Sequence, residues 1–273
     1  MAGSVVRKPS VAATVLIGAC AAFVATFVLM PFVVVFAQAF GGGIAAMRTL
    51  FVQGEAMHAM GLTAIITIAA LAVNASVGLL IAWTLSKYRF HGKALLSAIV
   101  DLPLSVSPVV AGLAILLAFG SRSPLGIWFA AHGVKLVFAL PALVMATVFV
   151  TFPFIAREVA AVMDEQGRQL EEAALTLGAR LPSVFWRVTL PNVRFALLNG
   201  MILCGARAMG EFGAVSVVSG KIRGQTETIP LYIEALYNEY NVSGAFAMAL
   251  VLVIATVAAI ALRIALARRY AHQ

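Results

Sequence analysis

Residues 171–194 read EEAALTLGARLPSVFWRVTLPNVR and lie between two long apolar runs. Apolar residues recur around the first half at the spacing of a helix face, which predicts a short amphipathic helix: Leu170, Ala173, Ala174 and Leu177. Gly178 can end this helix in a left-handed turn. A second apolar face follows at Val184, Phe185 and Val188, and Leu190-Pro191 is expected to stop that helix and start the next run.

The two predicted helices carry charges on either side of their apolar face, with acidic Glu171 and Glu172 against basic Arg180 and Arg187. Two interpretations fit this pattern. The pair can dock as a knob in the groove of a partner protein, or it can be an amphipathic loop that packs only on its own bundle. Periodicity alone does not separate the two.

Outward from this stretch, the chain contains six apolar runs, each long enough to cross a hydrocarbon core of roughly 30 Å as a helix. They are residues 11–37, 61–86, 94–119, 136–156, 193–219 and 245–267. We therefore predict an all-α integral membrane protein with six transmembrane helices. The first run could instead be a signal peptide, with Arg7 and Lys8 before it and an Ala37-Gln38-Ala39 cleavage site. It exceeds the roughly 7–15 apolar residues of such peptides, which favours an uncleaved span.

The composition excludes most soluble folds, because 62% of the residues are hydrophobic and only 11% are charged, with a mean hydropathy of +1.01. The net charge of +8 comes from short basic clusters between the apolar runs. This distribution favours phospholipid, and not nucleic acid, as a partner. Cys20 and Cys204 lie inside apolar runs without metal-ligand spacing, and we expect buried thiols that act as small apolar residues.

The basic residues also predict the orientation of the chain. With a cytoplasmic N-terminus, 13 of the 19 Lys and Arg residues lie in cytoplasmic segments and 5 lie outside. Cytoplasmic segments are enriched in these residues, so both termini are expected to be cytoplasmic, as is the 171–194 stretch between helices four and five. Four prolines in the third and fourth runs predict kinks or broken helical turns: Pro103, Pro108, Pro141 and Pro153.

The order Glu172-Ala173-Ala174, Gly178, Val188, Leu190-Pro191 resembles the EAA loop of binding-protein-dependent ABC importer permeases. The resemblance implies that residues about 165–191 form a coupling helix region that docks in a cleft of a cytoplasmic ATPase. Its expected contact residues are Glu171, Glu172, Ala173, Ala174, Leu177, Gly178, Val188, Leu190 and Pro191. It also implies a second permease subunit, a solute-binding protein and two ATPase copies. ATP and Mg would be bound by the ATPases, and no cofactor, metal or catalytic residue is expected in this chain.

Two further stretches, DLPLSVSPVVAGLA at 101–114 and ARAMGEFGAVSVVSGKIRG at 206–224, are similar to the sulfate/thiosulfate branch. Residues 206–241 resemble the CysW-type subunit more than its CysT-type partner. This implies an inner-membrane, multi-pass permease that receives sulfate or thiosulfate from a periplasmic binding protein. Two alternatives stay open: a molybdate or tungstate ABC permease, since that family shares AR-x-x-GEFG, and an ion-coupled secondary anion transporter.

The expected division of the chain has three parts. Residues 1–56 hold the N-terminal tail, the first helix and an outside loop, residues 57–267 form the permease core, and residues 268–273 form a tail.

Arg207 and Glu211 are the charges least expected in lipid. We place Arg207 near the middle of the fifth run, and its spacing to Glu211 puts both on one helix face, where they can pair. Two roles fit the pair. It is either a structural clamp between helices, or the Arg207 guanidinium donates to a transported oxyanion and pairs with Glu211 when the path is empty.

Three polar residues of the third run are further candidates for a translocation path. Asp101, if unpaired, would be a proton-coupling site, but a paired structural role is favoured where an ATPase supplies the energy. Ser105 and Ser107 can line an anion path or bond back to their own helix.

Residues 221–241 are expected outside the membrane on the opposite side from the 171–194 stretch. We predict one helical face for Tyr232, Ile233, Leu236, Tyr237 and Tyr240, as in a helix that lies at the headgroup level. The resemblance adds a role in receiving the binding protein.

Overall fold

The computed structural model describes residues 10–41, 48, 50–52 and 54–270, and every long regular element among them is a helix. The helices are α1 (Val11–Gly41), α2 (Glu55–Lys87), α3 (Lys93–Ser105), α4 (Pro108–Phe119), α5 (Pro124–Ala131), α6 (Leu140–Gln166), α7 (Gln169–Thr176), α8 (Leu181–Met209), α9 (Gly213–Val218), α10 (Ile229–Asn238) and α11 (Val242–Tyr270). The all-α prediction is confirmed. Arg7, Lys8, residues 271–273 and the side chains of Arg268 and Arg269 lie outside the described part.

Within the described part of the chain, five helices are long and apolar enough to cross a membrane: α1, α2, α6, α8 and α11. Helices α3 and α4 together make a sixth candidate span, but the chain bends by 109° between them. The chain turns at Val106, whose ψ of 134° is extended, and Pro108 then opens α4. Pro108 disfavours helical geometry in the residue before it, Ser107, whose ψ of 133° is also extended. The predicted break at Pro108 is therefore confirmed, by a bend far sharper than a kink.

The other prolines of the apolar runs do not end their helices. Pro153 lies inside α6, which continues to Gln166, and Pro141 is in its first turn. Pro191 lies inside α8, so the prediction that Leu190-Pro191 separates two helices is wrong. A π turn at Phe185–Thr189 precedes Pro191, and Leu190 N–H donates to the Phe185 carbonyl. This wider turn gives the proline ring room where an α turn would clash with it.

The predicted fifth run, 193–219, is also broken. Helix α8 ends at Met209, the chain passes through residues 210–212, and α9 begins at Gly213. This short break, like the one between α3 and α4, interrupts a stretch that hydropathy alone presents as continuous.

The centre of the bundle is the long contact between α2 and α6, against which α8 packs. One buried cluster joins α2, α6, α9 and α10 around Ile66, Leu143 and Val215. Another joins α2, α6 and α8 around Ile155, Val193 and Cys204. Cys204 is buried as predicted, whereas Cys20 is exposed, because α1 lies outside the core and packs mainly along α11.

We call the end of the bundle that holds α7 and the first turns of α8 the loop end. The opposite end, which holds α5 and α10, is the far end.

Candidate functional sites

The break between α3 and α4 and the break between α8 and α9 meet in the bundle. A β-carbon at Gly213 would lie 3.0 Å from the Pro108 β-carbon, and one at Gly112 would lie 2.5 Å from the Ala214 carbonyl oxygen. Glycine at both positions therefore lets α4 and α9 touch through their backbones. We call this contact the break junction.

Arg207 and Glu211 lie beside the break junction and pair as predicted, with Arg207 Nη1 2.6 Å from Glu211 Oε2. The pair does not sit in mid-helix, however: Arg207 is in the last turn of α8, and Glu211 lies beyond its end. Glu211 Oε1 also accepts a hydrogen bond of 2.9 Å from Ala214 N, in the first turn of α9. The Glu211 side chain is 1% exposed and that of Arg207 is 36% exposed. Glu211 is thus fixed from two sides, while the guanidinium reaches the surface of the chain.

Asp101 is paired, whereas a proton-coupling site would require an unpaired carboxylate. Arg157 donates through Nε to Asp101 Oδ1 at 2.6 Å and through Nη2 to Oδ2 at 2.5 Å. The same Nη2 donates to the Ser97 carbonyl and hydroxyl at 2.8 Å each. This two-point contact holds α3 on α6. Ser105 and Ser107 are exposed at the α3–α4 break, next to Pro108 of the break junction.

The turn after α7 has the geometry that the sequence predicts. Gly178 has a φ of 86°, which ends α7. Its N–H donates to the Leu175 carbonyl at 3.0 Å, and Ala179 N–H donates to the Ala174 carbonyl at 3.0 Å. These are the two hydrogen bonds of a Schellman cap.

The loop end exposes large apolar side chains on α7, on the following turn and on the start of α8: Leu170, Leu175, Leu177, Leu181 and Trp186. Leu177 is the most open of them, at 89% exposure. The second predicted face points the other way, since Val184 is buried and Phe185 and Val188 are partly buried. The pair of helices therefore packs on its own bundle with one face and leaves another apolar face open.

Glu171 was expected to frame the open face, but it points into the bundle. Its Oε2 lies 2.8 Å from Nζ of Lys87, the last residue of α2, and its Oε1 accepts a hydrogen bond of 3.0 Å from Thr189 Oγ1 on α8. Glu172 beside it is exposed. Sequence reasoning missed Lys87, because only its charge and its place at the end of an apolar run were visible.

A polar contact in the core was also missed. Asn74 is fully buried on α2 and donates to Thr151 Oγ1 on α6 at 2.8 Å and to Cys204 Sγ on α8 at 3.5 Å. Because such a group is costly to bury without a partner, this contact fixes how the three helices face one another. A single Asn in an apolar run was the only signal in the sequence.

The far end carries a network of charges around Arg223, which contacts Glu239 and lies 3.9 Å from Glu55. Lys221 pairs with Glu234 at 2.7 Å. Burial raises the pKa of Glu227; Arg223 opposes this rise, and the nearby carboxylates of Glu55 and Glu239 add to it.

The predicted tyrosine face at the far end is only partly correct. Tyr232 and Leu236 are buried in the core, and Tyr232 OH donates to Glu55 at 3.4 Å. Tyr237 is exposed, while Tyr240 lies beyond the end of α10 with a φ of 61° and 91% exposure. The far end thus presents two tyrosines beside its charges.

Solved structures share this arrangement of helices. A chain of a bacterial alginate ABC transporter, in complex with an alginate pentasaccharide-bound periplasmic protein, matches with a TM-score of 0.74 at 17% identity, over 93% of this chain and 91% of that one. A chain of the MetNI methionine ABC transporter in an inward-facing conformation matches with a TM-score of 0.56 at 17% identity, over 81% of this chain and 97% of that one. At these identities the likeness establishes the fold.

Curated relatives are much closer in sequence. The chain is 44% identical to the sulfate transport system permease protein CysW of Synechocystis sp., over 89% of this chain and 88% of the relative. It is 45% identical to the protein of the same name from Escherichia coli K12, over 91% and 86%. The CysT permease protein of Escherichia coli K12 is 33% identical over 89% and 88%.

The family model for binding-protein-dependent transport system inner membrane components matches residues 74–272, from the middle of α2 onward. That range includes the break junction, the Arg207–Glu211 pair and the loop end. With this match and relatives above 40% identity over most of both chains, the chain belongs to the binding-protein-dependent transport system inner membrane components.

Proposed function

We propose that this chain is the membrane-spanning permease subunit of an ATP-driven importer of sulfate or thiosulfate. The observation that carries the proposal is 44% to 45% identity to CysW sulfate permease proteins over about nine-tenths of the chain. The lower identity to a CysT protein, 33%, supports a CysW-type subunit.

We propose a cytoplasmic position for the loop end and for both termini, in the inner membrane. The excess of Lys and Arg in the segments at the loop end supports this orientation. The far end, with its charges and exposed tyrosines, would then face the periplasm and receive the solute-binding protein.

The loop end is the proposed docking site for the ATPase, with residues 165–191 as coupling region. Exposed Leu177 and Trp186 form an apolar face suited to a groove, and exposed Glu172 lies on the same short helix as Leu175. The sequence-predicted coupling residues that turn inward, Glu171, Val188 and Leu190, would support this face from behind.

The remaining partners follow from the same proposal. Two ATPase copies would bind ATP and Mg, so this chain would hydrolyse nothing itself. A homologous CysT-type permease would complete the path within a core of residues 57–267. The open side of the break junction, where Arg207 reaches the surface, is the proposed lining of that path, together with Ser105 and Ser107. Asp101 would act structurally, through Arg157.

Radiolabelled sulfate uptake in cells that lack this gene and all other sulfate carriers tests the proposal. We expect no uptake without the gene, restored uptake on complementation, and no competition by molybdate. Depleting ATP while an ion gradient is maintained should abolish the restored uptake. Uptake that survives ATP depletion would establish an ion-coupled carrier instead, and competition by molybdate would move the chain to the molybdate branch.

A further inference from the structure

Lys87 lies where four helices meet at the loop end. Its Nζ is 2.8 Å from Glu171 Oε2 on α7, and the two side chains are only 9% and 16% exposed. The same ammonium donates to the carbonyls of Met163 and Gly167 at the end of α6. Glu171 in turn accepts from Thr189 of α8 at 3.0 Å. One largely buried cation thus connects α2, α6, α7 and, through Glu171, α8.

The ends of α2 and α6 also bind each other directly. Ser86 Oγ donates to the Ala160 carbonyl at 3.2 Å, and Arg168 Nη2 donates to the Ser86 carbonyl at 3.4 Å. The last carbonyls of a helix lack partners within it and carry partial negative charge. The carbonyls at each helix end therefore receive a cation: Lys87 of α2 at the end of α6, and Arg168, which lies between α6 and α7, at the end of α2.

Gly167 provides the backbone that this contact needs. Its φ of 69° and ψ of −154° fall in a region that glycine alone adopts readily. A β-carbon there would meet no atom within 4 Å, so the requirement is conformational and not one of space. Aromatic packing adds a second link between α2 and α8, with the Trp83 and Phe185 rings 5.0 Å apart.

A displacement of α7 alone would separate the Lys87 ammonium from its carboxylate or from the α6 carbonyls. A buried charge that loses its partners is strongly unfavourable, so movements in which all four helix ends travel together are favoured. We infer that Lys87 and Glu171 are positioning residues that make α7 and the loop ends of α2, α6 and α8 one rigid unit. A force on α7 then reaches the membrane-spanning helices directly. The inference rests on the proposed function, because the force would come from the ATPase.

Spin labels on the assembled importer test the rigidity. Thr176→Cys on α7 and Ala161→Cys on α6 are both exposed positions, in a Cys20→Ser background where Cys204 is buried. We expect the same distance between the labels in nucleotide-free and ATP-trapped complexes. A change as large as one helical turn, about 5.4 Å, in the otherwise unmodified complex would overturn the inference.

Lys87→Met removes the charge while keeping most of the side-chain volume. We expect the distribution of label distances to broaden, or its mean to differ between the nucleotide-free and the ATP-trapped complex. Sulfate taken up per ATP hydrolysed should fall by roughly 5- to 150-fold, the usual range of coupling between two sites. Lys87→Arg, which keeps the charge, should restore part of this ratio. Asp164→Asn changes an exposed carboxylate near the end of α6, outside the proposed coupling region, and should leave the label distance unchanged.

The outcomes separate the two proposals. If the unmodified complex shows no sulfate uptake, the proposed function fails. If it takes up sulfate normally and Lys87→Met keeps the same uptake per ATP with an unchanged label distance, only the rigid-unit inference fails. If the Lys87→Met variant does not assemble, the rigid-unit inference is decided by the unmodified complex alone, through the difference in label distance between its nucleotide-free and ATP-trapped states.

Discussion

At Gly178 the chain reverses with a φ of 86°, and a β-carbon there would meet no atom within 4 Å. Only the backbone conformation restricts this position, and the two hydrogen bonds that end α7 depend on it. Asparagine adopts such a conformation far more readily than a β-branched residue.

We therefore expect Gly178→Val to strain the turn by about 1–3 kcal/mol and to displace α7 from the position proposed for docking on the ATPase. Sulfate uptake should fall sharply while the amount of protein in the membrane stays normal. Gly178→Asn is the matched control and should keep most of the uptake. Wild-type uptake by Gly178→Val would contradict the coupling role of the turn.

Arg207 and Glu211 call for a second experiment at this scale. Arg207→Ala leaves the Glu211 carboxylate, 1% exposed, without its cation. Breaking a fully buried pair costs about 3–5 kcal/mol, and the 36% exposure of the Arg207 side chain makes the cost smaller here. We expect poor assembly, measured by copurification with the partner subunits. Arg207→Ala/Glu211→Gln removes both charges but keeps an oxygen for Ala214 N–H, and should assemble again.

Uptake by the double variant then separates the two roles of Arg207. Restored assembly with restored uptake identifies a structural clamp. Restored assembly without uptake identifies a guanidinium that contacts the anion.

The sequence predicted this pair correctly, because residues four apart stay close in space even where Glu211 lies just beyond the last turn of α8. It misplaced the pair within the helix, since Gly210 lies in an apolar run and nothing in the hydropathy marks the end of α8. Lys87 was out of reach for another reason: its partners lie about 76 to 84 residues further along the chain. Such a contact depends on how whole helices pack.

Among the elements, the contact between α4 and α9 is sensitive to side-chain size. A β-carbon at Gly112 would lie 2.5 Å from the Ala214 carbonyl oxygen and 3.0 Å from its α-carbon, and neither atom belongs to a flexible side chain. The two helices would have to separate to accommodate even one methyl group.

We expect Gly112→Ala to lower the melting temperature of the purified complex and to reduce uptake. An overpacked site typically costs about 1–3 kcal/mol. Gly61→Ala is the matched control, because Gly61 also lies in a helix but a β-carbon there meets no atom within 4 Å. Its melting temperature should be unchanged or slightly higher. Equal stability of both variants would show that the break junction opens without cost.

Prolines show why element boundaries were harder to predict than the elements. Pro108 follows a sharp break, Pro153 lies inside a continuous helix, and Pro191 follows a π turn within one. The ring and the missing N–H are the same in each case. What differs is whether the preceding turn can widen or neighbouring helices hold the backbone in place, which the local sequence does not contain.

At the scale of the whole molecule, Glu227 at the far end makes the stability of the fold depend on pH. Burial raises the pKa of Glu227, so the folded chain holds this proton more tightly than the unfolded chain does. A raised carboxyl pKa contributes stability below its ordinary value of 4.5, and this contribution is lost as the pH rises through the folded-state pKa.

We therefore expect Glu227→Gln to melt at a higher temperature than the unmodified complex at pH 7.5. The difference should shrink as the pH falls below 4.5, where Glu227 becomes protonated in both states. Glu234→Gln, on the exposed pair with Lys221, is the control and should show no such gain. A lower melting temperature for Glu227→Gln at pH 7.5 would mean that the Glu227 charge is stabilised by Arg223 after all.

The position of α1 determines the order in which the molecule can be built. This helix comes first in the chain, buries only Ala39 and packs mainly along α11, which comes last. At about 5–20 residues per second, roughly 10–40 s of synthesis separate the two. During that interval α1 must stay in lipid without its neighbour, and its hydropathy of 2.5 over a membrane-length window makes this possible. Closure of the bundle is therefore a late step of biogenesis. If the ribosome stalls before residue 242, α1 remains in the bilayer without α11 to pack against.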